Sequence, residues 1–221
     1  MPPELTVTSE SASKNIKGRD LHLVQIVDAA LADATRRAGT HLACRPGCTQ
    51  CCHGAFAINT LDALRLRTAM SELAAAHPAH ASAIADRARQ YLDEFGSGFP
   101  GDRTTGILGI TPEEQEAFED FANDAPCPAL NPDSGLCDLY EARPMTCRVF
   151  GPPVRARSGD DREGLAVCEL CFTQATEEEI AAAEMSVPYE EEQRLLDDLP
   201  GGETIVAFCL TLPQSAMPAT S

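Results

Sequence analysis

Apolar residues recur at helical intervals along most of the chain. From Asp20, the positions Leu23, Val24, Val27, Ala30, Leu31 and Ala34 share one helix face, with Asp20 placed to cap the start and Gly39 to end it behind Arg36 and Arg37. A second pattern, with Leu61, Leu64, Met70 and Leu73 as its buried positions, predicts another helix; Pro78 interrupts it and the pattern resumes towards Phe95. Two capping boxes, Thr111 with Glu114 and Thr176 with Glu179, open further helices, the first with Pro112 at its first helical position. The stretch YEEEQRLLDDL reads as helix, and ETIVAFCLTL does too, although its β-branched residues admit a strand. Residues 1–18 and 213–221 are polar and are expected to be disordered tails. Residues 19–212 are expected to form a single domain, with no internal repeat and no βα alternation. The fold expected is mainly α, with helices packed around a loop-rich, cysteine-ligated metal centre.

The interval from Pro126 to Phe172 breaks this pattern. Pro and Gly are frequent there and the apolar runs are short, which implies loops and short elements fixed by something other than a large core. Composition says what that something is. The chain of 221 residues is 43% hydrophobic, enough for a real core, so it needs no covalent staples to fold; yet it carries 10 cysteines. Its opening residues show no basic segment followed by an apolar run, and no stretch approaches the roughly 18 apolar residues of a membrane span. The expected compartment is therefore the reducing cytoplasm, where cysteines read as metal ligands or redox groups before they read as disulfides. A formal charge of −17 repels nucleic acid phosphate and anionic lipid, so neither is an expected partner.

The cysteines fall into groups: Cys44, Cys48, Cys51 and Cys52; then Cys127, Cys137 and Cys147; then Cys168 and Cys171. Intervals of two or three residues let a turn aim successive sulfurs at one ion, and Pro46 with Gly47 makes the first group a bent loop. Neighbouring side chains diverge by about 100° on a helix and alternate on a strand. Cys51 and Cys52 therefore serve two centres, or one ligates while the other packs, or both border a cluster. Cys209, alone in an apolar run, reads as a small buried hydrophobe. His53 is a candidate nitrogen ligand because it follows the doubled cysteines.

The pieces CRPGCTQCC, CPALNPDSGLCDLYEARPMTCRVF and VCELC together resemble the YkgJ-type cysteine-cluster family of zinc- or iron-chelating proteins. The resemblance spans Cys44 to Cys171 and implies a metal-binding core over residues 41–172. It implies as ligands Cys44, Cys48, Cys51, Cys52, Cys127, Cys137 and Cys147, with a further one from Cys168 or Cys171, and Cys168 as the better match. Tyr140, Arg143, Pro144 and Arg148 match its other positions. The two arginines could offset thiolate charge from an outer shell, or pair with Glu141 or Asp138; both readings stand. The Tyr140 hydroxyl could likewise reach the sulfurs, and Pro144 sets the turn before Cys147.

The function expected is metal binding, with clustered thiolates chelating zinc, iron or an iron–sulfur cluster of the [4Fe-4S] type. The alternative is an iron–sulfur-dependent enzyme of the protein-methylating or redox kind, since flagellin lysine N-methylases carry a similar cluster. No acid–base pair or nucleophile arrangement names a catalytic residue. A thioredoxin-like site lacks its βαβ context, and metal storage fits poorly with cysteines set among ordered helices. The spacing Cys44, Cys48, Cys51 also occurs in radical SAM enzymes, but those surround it with βα repeats absent from this chain.

Overall fold

The computed structural model describes residues 9–157, 163–199 and 201–211. Of the tails expected at residues 1–18 and 213–221, residues 1–8 and 213–221 fall outside them, whereas residues 9–18 are helical and not a disordered tail: this polar stretch extends the first helix on its N-terminal side. Among the described residues helices dominate, as the alanine- and leucine-rich composition predicts. The chain divides into two compact units.

One unit takes the described residues through Leu42 and the segment Gly151–Asp198. Its long helix α1, Ser9–Ala38, starts earlier than the Asp20 expected from periodicity, and Asp20 lies buried inside it rather than capping it. Leu23, Val24, Val27 and Ala34 form its buried face, as their spacing requires. Near its end Arg37 donates to the carbonyls of Ala182 and Glu184. The hairpin β1, Val154–Arg157, and β2, Glu163–Ala166, pairs antiparallel with Val154 opposite Ala166. It occupies a stretch expected to be loop. Helices α2, Glu177–Ala182, and α3, Tyr189–Leu196, complete the unit, α2 opened by the predicted Thr176–Glu179 capping box.

The second unit takes Ala43–Phe150 and the described residues from Leu199 onward. Helix α4, Thr60–Ala76, is capped by Asn59, whose side chain accepts from the Asp62 amide. Helix α5, Pro78–Phe95, carries Pro78 in its first turn, where a missing N–H costs nothing. Leu61 is buried as expected, but Leu64 is 43% exposed; Leu66, not Leu64, turns into the core. The two-residue strands β3, Gly101–Asp102, and β4, Ile107–Leu108, precede α6, Pro112–Glu119, which starts at the predicted Thr111 capping box. Near the end of the described chain, Thr204 pairs with Ile58 in an isolated antiparallel bridge before helix α7, Val206–Thr211. The ambiguous apolar run is thus strand-like for one step and helical thereafter.

Ile58, Leu66, Ile84, Ala88, Val206, Cys209 and Leu210 build the core of this unit, and Ala129 and Leu139 from the cysteine-rich block pack into it. A neighbouring cluster gathers Phe99, Phe121 and Phe208, with the Phe99 and Phe208 rings edge to face at 4.7 Å. The cysteine block is therefore seated directly on packed helices.

Candidate metal centre

The first cysteine group is a pair of tight turns. Cys48 donates its amide to the Arg45 carbonyl at 2.9 Å, around Gly47 at φ +87°. Cys52 donates to the Thr49 carbonyl at 2.8 Å, closing a single helical turn over Gln50–Cys52. The chain then becomes extended at His53 and pairs antiparallel with the segment before Cys127. Gly54 donates to Ala125, and Cys127 donates to the Cys52 carbonyl at 2.7 Å. This backbone bridge sets Cys52 beside Cys127, across more than seventy residues of sequence.

From Cys127 the chain makes a closed loop. Leu130 donates to the Cys127 carbonyl, Leu130 pairs with Cys137, and Asp138 returns its amide to Ala129 at 2.8 Å. The Asn131 carboxamide oxygen accepts from the amides of Asp133 and Ser134 and stabilises the tip. Cys147 follows on a one-turn helix, Met145–Arg148. The first amide of that helix donates to Asp62 Oδ1 at 2.8 Å. Asp62 is 1% exposed and also pairs with Arg65 at 2.7 Å, so a buried carboxylate on α4 fixes where Cys147 sits.

These segments place Cys51, Cys52, Cys127, Cys137 and Cys147 in one electrostatic neighbourhood. The Cys52 thiol donates to the Cys51 sulfur; that bond, aided by the Cys51 backbone and the charge of Arg143, brings Cys51 down to about 6 against the opposing effect of burial. Cys52, the donor, is held far above the usual thiol range by the same bond. Burial pushes Cys127 up to about 12, and burial followed by the neighbouring thiols pushes Cys147 upward. Cys137 moves the same way, chiefly through burial.

Arg143 is 8% exposed and lies 4.0 Å over the Tyr140 ring, with Nη1 donating to the Tyr140 carbonyl at 3.0 Å. Tyr140 thus offers Arg143 its ring face. Arg148, 1% exposed, donates to the carbonyls of Arg143 and Glu141. Asp138 takes its ion pair from Arg87, at 2.6 Å, and from His80, at 3.0 Å. His80 makes this contact while its side chain stays 43% exposed.

The other predicted positions divide. Cys44 is exposed and Cys48 half-buried on the first loop. His53 is exposed, and its Nδ1 lies 3.0 Å from the Thr49 carbonyl oxygen, which turns the ring back on its own loop. Cys168 and Cys171 belong to the other unit, where both are buried and the Cys171 amide donates to the Cys168 carbonyl at 2.8 Å. Beside them Phe172, at φ +56°, donates to the His41 carbonyl and stacks on the His41 ring. Cys209 is buried in the core, and burial lifts it to about 12. Among the described residues no cysteine is assigned to a disulfide.

Residues 43–172 match the family model described as "CxxCxxCC: Putative zinc- or iron-chelating domain". The chain belongs to the CxxCxxCC family. Searches of curated proteins and of solved structures found no match. Among the described residues, no three His, Cys, Asp or Glu side chains already stand as a ready metal-binding set. The donor chemistry nonetheless fits the metals named for the CxxCxxCC family: the gathered groups are soft sulfurs, whose preferred ions are zinc and iron. Burial makes Cys127 and Cys147 costly to ionise alone, and a divalent cation inverts that cost. Sequence reasoning missed Asp62 and Arg87, because each reads locally as an ordinary charge on an amphipathic helix.

Proposed function

We propose that this chain is a thiolate-ligated metalloprotein holding zinc or an iron–sulfur cluster on Cys51, Cys127, Cys137 and Cys147. Cys52 would border the same centre. Cys44, Cys48, Cys168 and Cys171 are the remaining candidate ligands. One observation supports this most directly: the backbone bridge from Cys127 to Cys52, which joins two cysteine groups far apart in sequence through a segment with little other regular structure. A thiolate centre would fasten these loops to the helices beneath them. Arg143, buried beside the sulfurs, would offset part of the negative charge that several thiolates bring to a divalent ion. Reduced thiolates fit a reducing compartment, and the formal charge of −17 supports neither nucleic acid nor anionic membrane as a partner.

Anaerobic purification followed by metal analysis and visible spectroscopy tests the proposal. Colourless protein with stoichiometric zinc supports the zinc form, and brown protein with iron and labile sulfide supports the cluster. Protein that takes up neither metal defeats the reading. Separate changes Cys51→Ser and Cys52→Ser then divide the neighbours: complete metal loss in each excludes independent centres.

A further inference from the structure

The two thiols at the ends of the closed loop, Cys127 and Cys137, are each followed by a residue held by the same side chain. Arg87, on α5, donates Nε to the Pro128 carbonyl at 2.8 Å and Nη2 to Asp138 Oδ2 at 2.6 Å. We propose that Arg87 is the positioning residue of the thiolate centre, a fork that fixes the Cys127 and Cys137 ends of the loop against α5. The inference rests on the thiolate reading above and adds to it a residue outside the cysteine motifs.

The geometry favours this over an incidental salt bridge. Exposed ion pairs contribute little because water screens them and long side chains must be ordered. Here the Asp138 side chain is 8% exposed and that of Arg87 23%. The carboxylate is shared further, with Asp138 Oδ1 taking His80 Nε2 at 3.0 Å and Asn131 Nδ2 at 3.2 Å. Asn131 is the residue that organises the loop tip, so the network runs from the helix through Asp138 to the far end of the loop. The platform is rigid: Ile84 and Ala88, which flank Arg87 on α5, are fully buried in the core. One further turn along, Tyr91 lies with Cys127 and Pro128 around the same small cleft. His80, Arg87 and Tyr91 therefore form a face of α5 applied to the cysteine loop.

An arginine is needed for this geometry. Its planar guanidinium makes two directed bonds at once, to a carbonyl and to a carboxylate, whereas a lysine ammonium on a flexible stem makes no such fixed fork. Groups that orient metal ligands from the next layer commonly change metal affinity roughly ten- to hundredfold when removed.

The test uses the full chain, stripped of metal and titrated with Co2+ against a competing chelator. Sulfur-to-cobalt charge-transfer absorption counts the thiolates bound. Arg87→Lys, Arg87→Gln and Asp138→Asn are compared with Arg89→Ala, which removes an exposed arginine paired with Asp86 on the same helix. The expected result is roughly ten- to hundredfold weaker cobalt binding in the first three variants, with lower charge-transfer intensity per cobalt. Arg89→Ala should match the parent. Amide exchange of the metal-free chain should quicken at Asn131 and Asp138 in the Arg87 variants, which reads the loop without metal. Parent-like affinity, intensity and exchange in a folded Arg87→Lys or Arg87→Gln protein overturns the proposal. Loss of folding in both, by circular dichroism, also overturns it, since Arg87 is then a general determinant of stability. A parent chain without thiolate–cobalt absorption instead defeats the thiolate reading itself.

Discussion

Asp62→Ala should destabilise the unit that carries the cysteine loops by several kilocalories, although no cysteine is touched. The carboxylate is 1% exposed and accepts from the Met145 amide at 2.8 Å and from Arg65 Nη1 at 2.7 Å. Hydrogen bonds to an ionised group are each worth about 1.5–3 kcal/mol, and removing one member of a buried ion pair costs about 3–5 kcal/mol because the remaining charge stays buried. The Arg65 side chain, 11% exposed, has little water to replace the lost partner. A loss of about 3–5 kcal/mol is therefore expected for alanine. Asp62→Asn keeps an oxygen for Met145 but not the charge for Arg65, so about half that loss is expected. Urea unfolding of the metal-free chain measures both. With a slope of about 2 kcal/mol per molar, Asp62→Ala should move the midpoint down by about 1.5–2.5 M. A shift below about 0.5 M, or equal shifts for the two variants, would refute the role assigned to the charge.

Three other expectations follow from the same geometry. Gly106 has φ +72°, and a Cβ there would stand 2.6 Å from Phe208 Cγ; Gly106→Ala should therefore lower stability by about 2–4 kcal/mol, read as a fall in melting temperature. Burial raises Cys209 and Tyr91 each to about 12, so the stability they confer is complete below their unfolded values, near 9 and 10, and is lost as pH climbs towards 12. Denaturation of the metal-free chain across that window should show the loss. Metal loading at neutral pH should release about three protons, from Cys127, Cys137 and Cys147, because burial keeps those thiols protonated without metal. Calorimetry in buffers of different ionisation enthalpy counts them; release near zero would mean that these thiols are not ligands.

What could be read from sequence was whatever is local. Both capping boxes form as predicted, since each needs only a Thr and a Glu three residues on. The cysteine groups and their turns were legible for the same reason: Pro46, Gly47 and the short intervals act within a few residues. Leu64 fits the helical period and so reads as core, yet the neighbouring elements cover Leu66 instead. The hairpin of Val154–Arg157 and Glu163–Ala166 is hidden because each strand is only 4 residues long, too short for the alternation of Val154, Arg155, Ala156 and Arg157 to stand out within a Pro- and Gly-rich interval. Arg87 and Asp62 were illegible for a stronger reason. Their meaning lies in what the chain brings back to them, at 41 or more residues' distance.

That distinction bears on why the thiols are gathered at all. A fold that needed Cys127 and Cys147 only as small hydrophobes would have no use for a buried arginine acting on Cys51 and Cys137, nor for an arginine fork closing the loop between Cys127 and Cys137. Both arrangements carry a desolvation cost that apolar packing would avoid. Positive charge held beside sulfurs lowers the cost of ionising them, whereas burial of the sulfurs raises it. The two effects together fit thiols that remain neutral in the empty chain and become thiolates when a cation arrives. Within the Cys51–Cys52 pair the shared bond and the charge of Arg143 lower Cys51, while the same bond and burial raise Cys52.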